Sequence, residues 1–294
     1  MIGCACAVCR SSDPRDRRTR PSILLEVDST VGGVRTVLVD TATDLREQAL
    51  THRISRVDAI LFTHRHADHS LGLDEVRRFN MIQKAAIPCY GDERTLDDLR
   101  RTFSYIFNPP ALGGGVPQIT LFRIGGPFVL GPLEIVPVPL LHGHRPILGF
   151  RIGEFAYLTD CSRIPDESWS LLDGVRTLVL DALRDRPHPT HFSVAEALDV
   201  ASRLGPERTY FTHIAHDLPH AATCARLPPG VQLAYDGLVL ETEWRSFIFR
   251  TIRARPAGVI RCWRSATSTP CIAAIGRFST ASAVSLASSA RRRR

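Results

Sequence analysis

Apolar positions follow two alternating patterns along the first 244 residues. Short runs of Val, Ile, Leu and Phe end at Asp, His, Gly or Pro, and between them lie longer runs with helical spacing. The short runs predict strands over 22–27, 35–40, 58–63, 118–124, 134–141, 149–152, 155–160, 177–180, 208–212 and 233–240. The longer runs predict helices over 43–52, 72–84, 92–107 and 193–203, with a shorter one over 167–172. Ser193 and Glu196 have the spacing of a capping box ahead of an Ala/Leu run. Interleaved strands and helices argue an α/β domain. The pattern stops near Trp244, and residues 245–294 carry Ser, Ala, Thr and Arg without sustained periodicity.

Composition sharpens this division. Hydrophobic residues make up 44% of the 294, enough for a packed core and too many for a wholly disordered chain. No run reaches 18 apolar residues and no leader-like apolar stretch opens the chain, so a cytoplasmic protein without a membrane span is expected. The net charge of +7 is unevenly placed: residues 245–294 hold 11 arginines and no acidic residue, leaving the body mildly acidic. A basic balance would ordinarily suggest nucleic acid, but here that inference attaches only to the tail. Lys84 is the sole lysine, a bias that points to a GC-rich coding sequence more than to binding. The expected organisation is a domain over 1–244 and a basic tail over 245–294, either disordered and solvated or an artefact of the gene boundary.

The strongest chemical signal is His64-Arg65-His66-Ala67-Asp68-His69, directly after the apolar run 58–63. Three imidazoles and a carboxylate in a six-residue loop would be hard to bury without a cation. Nitrogen and oxygen donors together suit Zn, Mn or Fe. A second signal is Cys4-Ala5-Cys6-Ala7-Val8-Cys9, three soft ligands in six residues, which read as a structural zinc site lacking one donor. His216, in Thr212-His213-Ile214-Ala215-His216, is the candidate fourth ligand. It would pin the N-terminal segment beside the main site. Cys89, Cys161 and Cys224 fit no such cluster.

The HRHADH loop resembles the signature of the metallo-β-lactamase superfamily. That resemblance implies two divalent metals, Mn or Zn with Fe as a third candidate. His64, His66 and His142 would hold one metal; Asp68, His69 and His213 would hold the other. Asp160 would bridge the two together with a water or hydroxide, and Asp40 would orient ligands from behind. It further implies a four-layer αβ/βα sandwich with the metals at one edge between two sheets.

The cysteine cluster, the pair His213 and His216, and stretches such as 87–108, 140–144, 157–162 and 188–197 resemble a narrower family, the phosphoribosyl 1,2-cyclic phosphate phosphodiesterases. This implies a phosphoric diester hydrolase that opens 5-phosphoribosyl 1,2-cyclic phosphate to ribose 1,5-bisphosphate by metal-bridged hydroxide attack, in phosphonate catabolism. His191 matches the family's catalytic histidine, with His188 a weaker rival, and Asp68 is counted with His191 as catalytic. Arg15, Arg17, Arg18 and Arg20 are candidates for holding the 5-phosphate. The expected partner is this small cyclic phosphate rather than nucleic acid or a membrane, with a homodimer left open.

Two departures from the family are visible. Members usually begin with a strand before the cysteine cluster, whereas this chain opens with Met1-Ile2-Gly3-Cys4, so the first strand is expected to be missing and its neighbour's edge exposed. The residues after 244 have no counterpart. Two other functions share the ligand set in whole or part. A tRNA 3′-processing nuclease should carry a longer Gly/Pro-rich arm than Gly113-Gly114-Gly115 offers. A non-catalytic protein resembling pyrroloquinoline quinone synthesis protein B would not need all seven metal ligands.

Overall fold

A computed structural model describes residues 1–27, 36–109, 115–242 and 247–250. The chain runs β1 (Ile23–Val27), β2 (Thr36–Val39), α1 (Leu45–His52), β3 (Ala59–Leu61), α2 (Ala67–Ser70), α3 (Val76–Gln83), β4 (Ile87–Gly91), α4 (Glu93–Thr102), α5 (Ser104–Phe107) and β5 (Ile119–Arg123). It continues through β6 (Phe128–Leu130), β7 (Leu133–His142), β8 (Arg145–Ile152), β9 (Phe155–Leu158), α6 (Asp166–Trp169), β10 (Thr177–Asp181), α7 (Val194–Leu204), β11 (Arg208–Thr212), α8 (His220–Arg226), β12 (Val231–Leu233), β13 (Val239–Thr242) and β14 (Phe247–Arg250).

Two seven-stranded mixed sheets result. Their orders are β13-β14-β1-β2-β3-β4-β5 and β12-β11-β10-β9-β8-β7-β6. One apolar cluster draws on both: Leu25, Val37, Val39 and Leu61 from the first sheet pack with Ile135, Phe150, Phe155 and Tyr157 from the second. The sheets therefore lie face to face. Their outer faces are covered by helices, Leu45, Val76, Phe79, Leu96 and Leu99 on one side and Val194, Ala197 and Val200 on the other. This is the expected four-layer α/β sandwich. Burial on both faces explains why β2, β3 and β10 read as continuous apolar runs rather than alternating ones. Each fully buried apolar side chain such as Phe150 or Leu61 contributes about 1.5–3 kcal/mol from apolar burial.

The elements differ from the expected ones in particular places. The helix expected over 92–107 is interrupted at Phe103, which is buried and leaves helical geometry at ψ 42°. The strand expected over 233–240 divides into β12 and β13 around a turn containing Gly237, whose φ is 92°. β4 is a strand the apolar runs did not predict; it pairs with both β3 and β5 although Pro88 lacks a ladder donor. The capping box at Ser193 forms as its spacing implies: Ser193 Oγ accepts from the Glu196 amide and Glu196 Oε2 accepts from the Ser193 amide.

The largest difference concerns the edge of β1. This edge is not open. β14 pairs antiparallel with β1, Leu24 opposite Arg250 and Val27 opposite Phe247, and on its other side with β13. An uncovered β1 would leave a row of backbone donors and acceptors without partners, and the Phe-Ile-Phe run supplies them. Residues 247–250 are thus part of the first sheet and not of an unstructured tail, and the expected boundary at 244 falls before the last strand. The remaining tail, Gly113 and Gly114 lie outside the described residues. Among the described residues no helix is long and apolar enough to cross a membrane.

Candidate metal centre

The site lies where strands of both sheets end. Asp40 follows β2, His64 to His69 follow β3, His142 ends β7, Asp160 follows β9, Asp181 ends β10 and His213 follows β11. Three of these residues leave their strand through the left-handed region, Asp40 at φ 65°, Asp160 at 57° and His213 at 57°. Such backbone costs of order 1–3 kcal/mol for a residue other than glycine and clusters at working sites. Here it turns each side chain back toward a common point.

At that point donors crowd around Asp160. His64 Nε2 lies 2.7 Å and His69 Nε2 3.5 Å from Asp160 Oδ2, with His66 Nδ1 at 3.7 Å. His142 Nδ1 lies 3.4 Å, His191 Nδ1 3.1 Å and His213 Nε2 3.5 Å from Asp160 Oδ1. Asp68 Oδ2 is 3.6 Å from His213 Nε2 and 3.9 Å from His69 Nε2. The donors form overlapping groups able to hold a cation: His66, His142 and Asp160; His64, His69 and Asp160; Asp68, His69 and His213.

The chemistry of this donor set fits divalent metals. His64 Nε2, His142 Nδ1 and Asp160 Oδ1 are buried without a hydrogen-bond partner, although they crowd against one another. Buried lone pairs facing each other are costly unless a cation lies among them. The electrostatics agree. Burial pushes His64 down to about 4. Burial opposes the charged form of His213 too, but the Asp68 hydrogen bond and the charges of Asp160 and Asp181 raise it to about 9. Burial likewise opposes ionisation of Asp160, yet contacts with His64 and His66 hold its carboxyl far below the usual range.

Outer residues fix the inner ones. Asp40 Oδ2 lies 2.7 Å from His69 Nδ1 and accepts its proton, which leaves the Nε2 lone pair facing the centre. Thr63 holds Asp40 in turn, donating from its amide to Oδ1 and from its hydroxyl to Oδ2, both at 2.8 Å.

His191 stands beside this centre, its ring 4.9 Å from that of His142 and 4.8 Å from that of His213. Its Nδ1 faces Asp181 Oδ1 at 3.3 Å. Asp181 was not anticipated from sequence. It is fully buried, a condition that raises its pKa, and it accepts from the Phe192 amide at 2.9 Å. A strand-end signal was present, since Val179-Leu180-Asp181 repeats the pattern of Leu38-Val39-Asp40. His188 lies 4.9 Å from His191, ring to ring, and its Nδ1 accepts from Thr190.

The N-terminal cysteines converge on His216. Cys4, Cys6 and Cys9 sulfurs lie 3.3, 3.4 and 3.7 Å from His216 Nδ1. The four donors are mutually close enough to hold one ion, and three thiols with one imidazole suit zinc. Arg18 fastens the same segment, donating to the Ala215 and Leu218 carbonyls at 3.0 and 2.7 Å. Arg18 also pairs with Asp16, and Arg15 pairs with Asp13. These two arginines are therefore occupied within their own segment and its neighbour, contrary to the expectation that they hold a substrate phosphate. Arg20 approaches Asp68 at 4.0 Å.

Comparison with known proteins agrees with this geometry. Residues 35–214 match the β-lactamase superfamily domain. A crystal structure described as a new diphosphatase from the PhnP family is 47% identical, with a TM-score of 0.75 over 82% of this chain and 92% of that one. An octanoyltransferase of Porphyromonas gingivalis (strain ATCC BAA-308 / W83) is 37% identical over 243 residues, 81% of this chain and 48% of that protein. The chain thus spans about half the length of that curated relative. The Zn(2+)-bound PqqB of Methylobacterium extorquens, 20% identical with a TM-score of 0.60 over 82% of this chain and 95% of that one, shares the fold. With a family match over most of its folded length and a donor cluster at the strand ends, the chain belongs to the metallo-β-lactamase superfamily.

Proposed function

We propose that this superfamily hydrolase is a phosphoric diester hydrolase acting on 5-phosphoribosyl 1,2-cyclic phosphate, which it opens to ribose 1,5-bisphosphate in phosphonate catabolism. The observation that carries the reading is the placement of His191, oriented by Asp181 and 3.1 Å from Asp160, beside a cluster suited to two divalent metals. His64, His66 and His142 would hold one ion, Asp68, His69 and His213 the other, and Asp160 would contact both. Bound there, divalent metals neutralise charge on phosphoryl oxygens and make a water-derived nucleophile available near neutral pH.

The chain's own residues do the rest. Asp181 holds His191 by Nδ1, leaving Nε2 to carry a proton toward the departing ribose oxygen. Asp40 keeps His69 in the tautomer whose Nε2 lone pair faces inward. The Cys4, Cys6, Cys9 and His216 group would fix the loop that follows His213 by holding a structural zinc.

A second reading has its own support. The 47% identical relative is described as a diphosphatase, so hydrolysis of a diphosphate linkage by the same centre is the alternative. The octanoyltransferase name belongs to a protein about twice as long as the matched region and carries no argument for acyl transfer here.

The test is hydrolysis by the full chain, loaded with Mn or Zn, of bis(p-nitrophenyl) phosphate, the cyclic ribose phosphate and inorganic diphosphate. His64→Ala is the control. Diester cleavage that disappears in His64→Ala supports the phosphodiesterase reading. Cleavage of diphosphate alone favours the second. A folded, metal-loaded protein inactive on all three would overturn both.

A further inference from the structure

The loop that carries His213 is gripped by a buried ion pair. His213 follows β11, and residues 213–219 lead from there to α8. Arg18 Nη1 donates to the Ala215 carbonyl at 3.0 Å, and Nη2 donates to the Leu218 carbonyl at 2.7 Å. Nη2 also donates to Asp16 Oδ1 at 3.2 Å, and the same oxygen accepts from the His220 amide at 2.8 Å. The Ala215 peptide is held from its other side, its amide donating to the Leu183 carbonyl at 2.8 Å. One guanidinium and one carboxylate thus fasten the loop at Ala215, Leu218 and His220, and none of these contacts uses a cysteine.

Stability alone does not explain this pair. The Arg18 side chain is 12% exposed and that of Asp16 6%. Taking two such charges out of water costs about as much as their attraction returns. Arg18 Nε is buried and, among the described residues, has no hydrogen-bond partner. What the pair fixes is geometry. His213 stands in left-handed backbone at φ 57°, which a residue other than glycine keeps only where its surroundings impose it. It is also a donor that must meet partners from the other sheet: Asp68 and His69 follow β3 in the first sheet, His213 follows β11 in the second. The segment that carries Arg18 spans this divide. The Arg20 amide donates to Asp44 Oδ2 at 2.7 Å, and Ser22 Oγ donates to the Asp40 carbonyl at 2.9 Å. Residues 16–22 therefore tie the loop after β11 to the residues that follow β2.

We infer that Arg18 is a positioning residue for the metal held by Asp68, His69 and His213. It sets the separation between donors carried by two different sheets, and it touches no reacting atom. The role rests on the reading of those three residues as a metal site. The other metal should depend on it less, because His64 and His66 follow β3 and His142 ends β7, and none of them lies on the loop that Arg18 holds. The cysteine group should also be spared, since its sulfurs reach His216 directly.

The test is stepwise Mn(II) titration of the full chain, read by electron paramagnetic resonance. Occupancy of the cysteine group is followed separately by the thiolate charge-transfer absorption of Co(II). The variants are Arg18→Ala and Arg18→Lys, with the denaturant midpoint measured for each. The unaltered chain should bind two Mn ions at the histidine cluster and show the spectrum of a magnetically coupled pair. Arg18→Ala should weaken the second ion by about tenfold or more, the usual effect of removing a ligand's support, and show an isolated ion at the same Mn concentration. The first ion and the cobalt band should be unchanged. Arg18→Lys keeps a cation beside Asp16 but lacks the fork that reaches both carbonyls, so it should lose affinity by a smaller factor. If Arg18→Ala does not fold, Arg18→Lys decides the matter. Unchanged affinity for the second ion in a folded variant would overturn the role and leave the metal reading standing. Equal loss of both Mn ions and of the cobalt band would overturn it too, as general loosening. An unaltered chain that binds fewer than two Mn ions at the cluster would remove the two-metal reading, and the role with it.

Discussion

His69 Nδ1 lies 2.7 Å from Asp40 Oδ2, across 29 residues of sequence, and both side chains are fully out of contact with solvent. The carboxylate fixes the tautomer of the ring and favours its positive partner, whether a proton or a metal at Nε2. Burial alone would lower the pKa of His69, and Asp40 reverses the sign and raises it.

Asp40→Asn should therefore weaken metal binding at the Asp68–His69–His213 group by about 10–100-fold, the usual effect of removing a ligand's supporting carboxylate. Competition with a chromogenic chelator measures this. Unaltered affinity would show that the ring is held by packing alone.

The contact between Asp181 and His191 has a kinetic consequence. Asp181→Asn should lower kcat on bis(p-nitrophenyl) phosphate by about 10²-fold, the lower range for a positioned proton donor, with both metals still bound. KM should change little, because the contact orients the proton donor rather than the substrate. A lower kcat accompanied by lost metal or a lower denaturant midpoint would point to loss of structure rather than of orientation.

Cys6 is the thiol to watch. The Cys9 amide and the His216 side chain lower its pKa to about 6, whereas Cys4 is raised above the ordinary thiol value. A lowered thiol is mostly thiolate above its pKa, so in metal-stripped protein at pH 7 iodoacetamide should modify Cys6 before Cys4. The rate at Cys6 should fall as pH drops below about 6. Zinc should protect Cys4, Cys6 and Cys9 together. Peptide mapping by mass spectrometry distinguishes them, and equal labelling of Cys4 and Cys6 would contradict the assignment.

Gly72 follows the metal loop with no room for a side chain. A Cβ there would lie 2.1 Å from the Ala42 carbonyl oxygen and 2.8 Å from Leu45 Cβ. Gly72→Ala should cost about 1–3 kcal/mol as overpacking, read as a fall in the denaturant midpoint with the slope unchanged. Because Ala42 follows Asp40, metal affinity should fall in the same variant.

The last strand makes a further difference measurable. Ending the chain at Trp244 removes β14 and bares the edges of both β1 and β13. The shortened protein should be less stable to denaturant than the full chain and should self-associate in sedimentation experiments, because open edges pair with one another. Equal stability and a monomer in both cases would show that β14 contributes nothing.

Much of the site is legible in the sequence. His64, His66, Asp68 and His69 lie within six residues, and Asp160 and His213 follow apolar runs. Strand periodicity is local, so the sequence placed these residues at strand ends without knowledge of which strands are neighbours. The three thiols near the N-terminus were equally plain, since their spacing alone suits a metal. Asp181 escaped notice for a physical reason. A lone Asp after an apolar run becomes significant only when β10 is set between β9 and β11, which brings it to His191. Arg15 and Arg18, candidates for phosphate because they lie near the cysteines, are instead occupied by Asp13, Asp16 and the Ala215 and Leu218 carbonyls, the last two reached only in the fold. The residues that pair with β1 could not be read from local pattern, since edge pairing depends on which backbone groups are left open after the other strands have assembled. The amino-acid sequence by itself determined the donor inventory and the alternation of strand and helix, because both are local. The partners of Asp181 and the neighbour of β1 were decided by tertiary structure, because each depends on long-range pairing that no short window of sequence contains.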